Sequence, residues 1–194
     1  MTLTAMALGR MTLARQVALV FGGTLLLAAA SQVTVPFYPV PMTLQTLAVL
    51  LVGFAYGARL GTITVLAWLG QAVLGAPVLA NFMNGAAFAG PTAGFLVGFV
   101  AMAWLAGTAA DRGITGPVKL AAVALVASAA LYVPGLAWPL GVAQAAGIEA
   151  GWAGLSVGQV LGGFALPFLL GDVVKAVLAA LIVTGAARAL RPRA

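Results

Sequence analysis

The chain has 194 residues, 63% hydrophobic and 6% charged, with nine Lys or Arg against three Asp or Glu and a net charge of +6. An ordinary soluble domain carries about 25% charged residues, so this composition suits lipid rather than water and leaves no stretch for a separate soluble domain. With no Cys and no His, disulfides, thiolate chemistry, the usual zinc sites and His-based triads are excluded, and the scattered basic residues form no nucleic-acid patch.

The expected fold is an all-α membrane protein, one transmembrane domain over residues 1–194, with helices at about 11–31, 43–56, 60–74, 93–110, 118–140 and 167–190. The first of these six imitates a signal peptide, with Arg10 and Arg15 ahead of an apolar run that ends in Ala28, Ala29 and Ala30. Its helix-forming residues reach back past that run and further spans follow, so it reads as a retained helix. It carries Ala14, Ala18 and Gly22 at a spacing of four, small residues that let another helix approach closely. Packing within the chain is the plain reading of that stripe, and docking of a partner membrane subunit the sharper one.

The next join, Gln32 to Met42, includes Pro36-Phe37-Tyr38-Pro39-Val40-Pro41 and is expected to be folded. Gln45 follows near the start of the second helix, and Trp68 lies in the third. Both helices are short for ~30 Å of hydrocarbon, which fits outer joins that dip toward the bundle. The join from Gly75 to Thr92 carries Asn81 and Asn84, and the join from Gly141 to Leu166 is again rich in breakers. Irregular backbone near lipid is tolerated where it packs on protein or lines a cavity, so the face bearing these three long joins is where a lidded pocket is expected.

Charge sets the topology. Arg10, Arg15, Arg59, Arg112, Lys119, Arg188, Arg191 and Arg193 all fall on one side if there are six spans, and the three long joins hold no Lys or Arg. By the positive-inside rule that side is cytoplasmic, with both termini on it. Lys175 is the basic residue left over, three positions after Asp172 on the last helix and on the same face. Ionisable groups within a membrane domain face the interior and pair, since hydrocarbon exposure costs at least ~2.5 kcal/mol each.

Asp172, Lys175, Gln45, Asn81 and Asn84 together suit a small neutral polar head, with Trp68, Phe82, Phe88 and Phe164 as candidate apolar walls. The plainer readings are an interfacial ion pair, a helix-start contact for Gln45, turn chemistry for the two Asn residues, and packing or interface belts for the aromatics. No metal-ligand cluster, cofactor motif or G-x-x-x-x-G-K-[ST] loop is present, and no inverted repeat is visible.

Four ordered stretches carry a resemblance. Val35-Pro36-Phe37-Tyr38-Pro39-Val40-Pro41-Met42-Thr43-Leu44-Gln45-Thr46-Leu47 closely resembles the opening signature of the BioY family, the biotin-binding S components of energy-coupling factor transporters. Gly75-Ala76-Pro77-Val78-Leu79-Ala80 resembles its Gly-x-Pro-Val segment, Gly90-Pro91-Thr92-Ala93-Gly94-Phe95 its Gly-Pro-Thr turn, and Pro167-Phe168-Leu169-Leu170-Gly171-Asp172-Val173-Val174-Lys175 its closing motif. Leu79 stands where the family has Phe, and Trp68 where Tyr is usual, departures that alter the pocket wall and leave the polar set intact.

The resemblance implies a six-helix S component of the cell membrane that needs no cofactor. It implies capture of biotin outside, and association with a transmembrane coupling subunit, the T component, driven by two ABC ATPase subunits. The Ala14/Ala18 stripe then resembles the S-component docking motif. The implied site has Asp172 accepting from a ureido N–H, Lys175 orienting Asp172 or donating to a ligand oxygen, and Asn81 or Asn84 completing the set. Two other classes stand beside it: an intramembrane enzyme, which the missing His and Cys and the single intramembrane carboxylate oppose, and a secondary transporter or pore using Asp172/Lys175 for another small polar solute.

Overall fold

The computed structural model describes residues 2–8 and 11–190; Arg10, Arg191 and Arg193, three of the topology-setting charges, lie outside them. Among the described residues, five helices are long and apolar enough to cross a membrane, and their outward faces carry large apolar side chains such as Phe21, Val126 and Leu170. A short helix α1 (Leu3–Leu8), which the sequence reading did not foresee, is tied down by Thr4, whose Oγ1 donates to Ala55 O at 3.1 Å. Helix α2 (Leu13–Gln32) starts at Thr12, whose hydroxyl accepts from the Arg15 N–H at 3.4 Å, and its 20 residues span about 30 Å.

Helix α3 (Gln45–Val73) contains the second and third predicted helices, divided at Gly57, inside the join the sequence placed there. Gly57 has φ +82°, and a side chain there would run into the Asp111 carboxylate. That carboxylate accepts from the Ala58 N–H at 2.9 Å, capping the second arm. The two arms fold against one another: a Cβ on Gly61 would lie 3.1 Å from Gly53 Cα, an approach impossible along a straight helix. With α3 counted as two arms, the described chain has six apolar segments.

Helix α4 (Ala93–Asp111) packs between α3 and α5 (Pro117–Ala137). Pro117 opens α5, where a missing N–H costs nothing, and Pro134 near its end precedes a π-turn at Trp138–Val142. A three-residue helix α6 (Ala143–Ala145) follows, then α7 (Val157–Phe164), which forms within the stretch expected from sequence to be a join. α7 begins with a Ser156–Gln159 capping box, a signal present in the sequence. Helix α8 (Leu166–Ala189) closes the bundle against α3 and α5.

The long joins are folded. The first forms a two-stranded antiparallel ladder, β1 (Thr34–Val35) with β2 (Met42–Thr43), pairing Thr34 with Thr43 and Val35 with Met42. Thr43, expected to open a helix, is therefore in a strand, because its carbonyl and hydroxyl serve the helix start and Lys175 instead of a helical ladder. The second holds two 3-10 turns, Ala80–Phe82 and Gly85–Ala89. Trp138 Nε1 donates to Gly90 O at 2.9 Å, fastening that join to the end of α5.

Candidate functional site

The joins Pro39–Gln45 and Leu79–Thr92 close over a cavity of about 230 Å³ between α3, α4, α5 and α8. Its walls are mostly apolar: Val40, Met42, Leu79 and Met83 from the joins, Phe95, Leu96 and Phe99 from α4, Leu131 from α5 and Phe168 from α8. A volume below the ~300–1,000 Å³ of drug-sized pockets suits one small molecule. The polar lining includes Asp172, Lys175, Tyr132, Thr43, Gln45, Thr46, Asn81 and Thr92.

The ion pair sets the electrostatics. Lys175 Nζ lies 3.0 Å from Asp172 Oδ1, and each side chain is only 8% exposed. Tyr132 donates its hydroxyl to the other carboxylate oxygen, Asp172 Oδ2, and Lys175 Nζ also donates to Thr43 O at 3.4 Å. Burial of two charges is tolerated because each is paired and further hydrogen-bonded. An ammonium has three N–H groups and a carboxylate about four acceptor positions, so this network still leaves one donor and some acceptor capacity for a ligand.

Tyr132 was not picked out by sequence reading. It sits at the end of α5 where that helix meets α4, its ring edge-on to Phe95 with centroids 5.9 Å apart. Gly94 permits the approach, since a side chain there would strike the backbone of Pro134. Nothing local in the sequence marks a tyrosine 40 residues before its carboxylate partner. Phe95 and Phe168, by contrast, stand inside two of the recognisable motifs.

The predicted polar residues are distributed unevenly. Asp172, Lys175, Gln45 and Asn81 meet at the cavity. The Gln45 amide is engaged at both ends, accepting from Thr43 Oγ1 at 2.9 Å and donating to Ser31 Oγ at 3.0 Å. That bond ties α3 to α2. Asn81 adopts a left-handed conformation, φ +55°, within its 3-10 turn. Asn84 is not among the lining residues; its Oδ1 caps the second 3-10 turn by accepting from Ala86 N at 3.1 Å.

Trp68 is fully buried behind the wall, its ring 6.0 Å from Phe99 and its Nε1 donating to Val78 O at 3.0 Å. Phe164 is likewise buried in the core, Phe82 is 70% exposed, and Phe88 is half-buried; the aromatic lining comes from Phe95, Phe99, Tyr132 and Phe168. Ala14, Ala18 and Gly22 all lie exposed on α2. Among the described residues no group of His, Cys, Asp and Glu is placed to hold a metal ion.

Comparison with known proteins gives a consistent picture. The sequence model of the BioY family matches residues 2–192. A biotin transporter BioY of Rhizobium etli is 38% identical over 159 residues, 77% of this chain and 79% of the relative. A probable biotin transporter BioY of Pyrococcus horikoshii is 32% identical over 170 residues, covering 87% and 94%. Among solved structures, the S-component for biotin from an ECF-type ABC transporter has the same fold: TM-score 0.71, 23% identity, 92% of this chain and 95% of that one.

Proposed function

Because the chain belongs to the BioY family, we propose that it captures biotin outside the cell membrane and delivers it inward as the S component of an energy-coupling factor transporter. Its relatives are transporters, and this chain is a multi-pass membrane protein of that kind rather than an enzyme. The observation that carries the ligand reading is the small apolar cavity whose polar groups centre on the Asp172–Lys175 pair. Biotin presents two ureido N–H groups and a carbonyl on a compact bicyclic ring with an apolar valeryl chain. An acidic acceptor beside a cationic donor matches the first, and Phe95, Phe99 and Phe168 suit the rest.

In this reading Asp172 accepts from a ureido N–H, Lys175 orients the carboxylate and donates to a ligand oxygen, and Asn81 completes the polar set from the cavity mouth. Gln45 holds the start of α3 in place, Asn84 shapes the turn that carries the mouth, and Trp68 backs Phe99. Both termini are cytoplasmic. The α3 bend with Arg59, the end of α4 with Arg112, the start of α5 with Lys119 and the end of α8 with Arg188 share the end opposite the cavity, as the positive-inside rule requires. The cavity then opens outward.

The partners are a transmembrane coupling subunit and two ABC ATPase subunits, with the exposed Ala14/Ala18/Gly22 face of α2 as the docking surface. Vesicles holding this chain with those subunits should accumulate biotin only with ATP. Accumulation that survives ATP depletion and collapses with an uncoupler would replace this reading with a secondary transporter.

A further inference from the structure

Thr46 is 9% exposed and lines the cavity, and its Oγ1 is buried with no hydrogen-bond partner. Other threonines in these helices spend the hydroxyl on a carbonyl one turn back: Thr64 on Leu60 O at 2.8 Å and Thr108 on Trp104 O at 2.7 Å. Thr62 and Thr184, the other buried threonines with unpaired hydroxyls among the described residues, do not line this cavity. A buried hydroxyl without a partner is destabilising, so its placement at a ligand cavity calls for an occupant.

The backbone around Thr46 has the same unmet need. α3 starts with no side-chain cap; the Gln45 N–H is taken by Thr43 Oγ1 at 3.1 Å, and the first carbonyl bond at the boundary runs from Ala48 N to Leu44 O at 3.1 Å. The N–H groups of Thr46 and Leu47, in the first turn, have no carbonyl to reach within the helix. They stand at the positive end of its dipole. Lys175 Nζ, bonded to Thr43 O, adds a cation beside them.

We propose that the Thr46 hydroxyl, together with the open first turn of α3, is a donor subsite that receives an acceptor oxygen of the bound ligand. This rests on the biotin reading, in which the oxygen is the ureido carbonyl or the valeryl carboxylate. Asp172 then accepts from ligand N–H groups, while Lys175 and the first turn of α3 donate to ligand oxygens.

The experiment is calorimetric titration of the purified chain with biotin and with biotin methyl ester, in the parent and in Thr46→Val and Thr46→Ser. Thr46→Val keeps the shape and removes an unpaired group, so the ligand-free protein should melt no lower than the parent. Its biotin affinity should fall about three- to tenfold, the worth of one hydrogen bond, and Thr46→Ser should restore it. A loss confined to the acid assigns the carboxylate, and an equal loss for acid and ester assigns the carbonyl. Parent affinity in Thr46→Val, or the same weakening in Thr46→Ser, overturns the subsite and leaves biotin capture standing. A parent protein that binds no biotin overturns both.

Discussion

Asp172 is held from two sides, by Lys175 on its own helix and by Tyr132 from α5, and this fixes where its remaining lone pairs point. Removing one partner of a buried pair strands the other charge at a cost of about 3–5 kcal/mol. Lys175→Ala should therefore lower the melting temperature in detergent and abolish biotin binding together. The double variant Asp172→Asn with Lys175→Met should recover melting temperature relative to Lys175→Ala without recovering binding, which separates the structural share of the pair from its recognition role. Tyr132→Phe removes a hydrogen bond to a charged group, worth about 1.5–3 kcal/mol of stability, so the melting temperature should fall while the ring stays packed on Phe95, and biotin affinity should fall with it because the Asp172 carboxylate is no longer held in place. Unchanged affinity in titration would mean that Tyr132 does not position Asp172 for the ligand. At this scale Asp172 and Lys175 were legible because charge is so costly in lipid that any survivor stands out. Tyr132 and Thr46 were not, since a tyrosine or threonine in an apolar helix carries no such cost when exposed at its end, and their partners are distant in sequence.

At the scale of elements, the bend at Gly57 and the Asp111 carboxylate act as one unit. Gly57→Ala meets both a positive φ and the Asp111 oxygen, and should cost about 1–3 kcal/mol of stability, read as a lower melting temperature. Asp111→Ala should cost about 0.5–2 kcal/mol through loss of the cap on Ala58, and the two losses should combine less than additively because the groups touch. Strict additivity in melting experiments would contradict the coupling. The long helices were legible from composition to within a few residues, since an apolar run of membrane length has few alternatives. α1, α7 and the β1–β2 ladder were missed for a physical reason: segments of two to eight residues are stabilised by tertiary contacts more than by their own periodicity. The capping box at Ser156 is a readable signal, but it sits within a breaker-rich stretch that reads as a join. Trp68, Phe82, Phe88 and Phe164, candidate walls by residue type, are not among the cavity-lining residues, and Trp68 and Phe164 take the plainer packing role, because aromatic identity alone does not reveal which helix face borders the cavity.

Across the whole molecule, topology and site go together. Among the described residues, Arg59, Arg112, Lys119 and Arg188 gather at the end of the bundle that the proposed topology turns to the cytoplasm, and the folded, charge-poor joins at the other end cover the cavity. The least-buried long helix, α2, leaves Ala14 and Ala18 uncovered. Ala14→Trp and Ala18→Trp should therefore leave biotin binding intact yet block association with the coupling subunit and stop ATP-driven uptake; normal association in a pull-down with both variants would remove α2 as the docking face. Everything proposed for the molecule depends on biotin binding in the cavity around Asp172 and Lys175. The decisive measurement is calorimetric titration of the purified chain with biotin in detergent, with no partner subunit present and with Asp172→Asn in parallel. The parent should bind one biotin tightly and the variant should not. No heat of binding in the parent, or equal affinity in Asp172→Asn, would rule out this site.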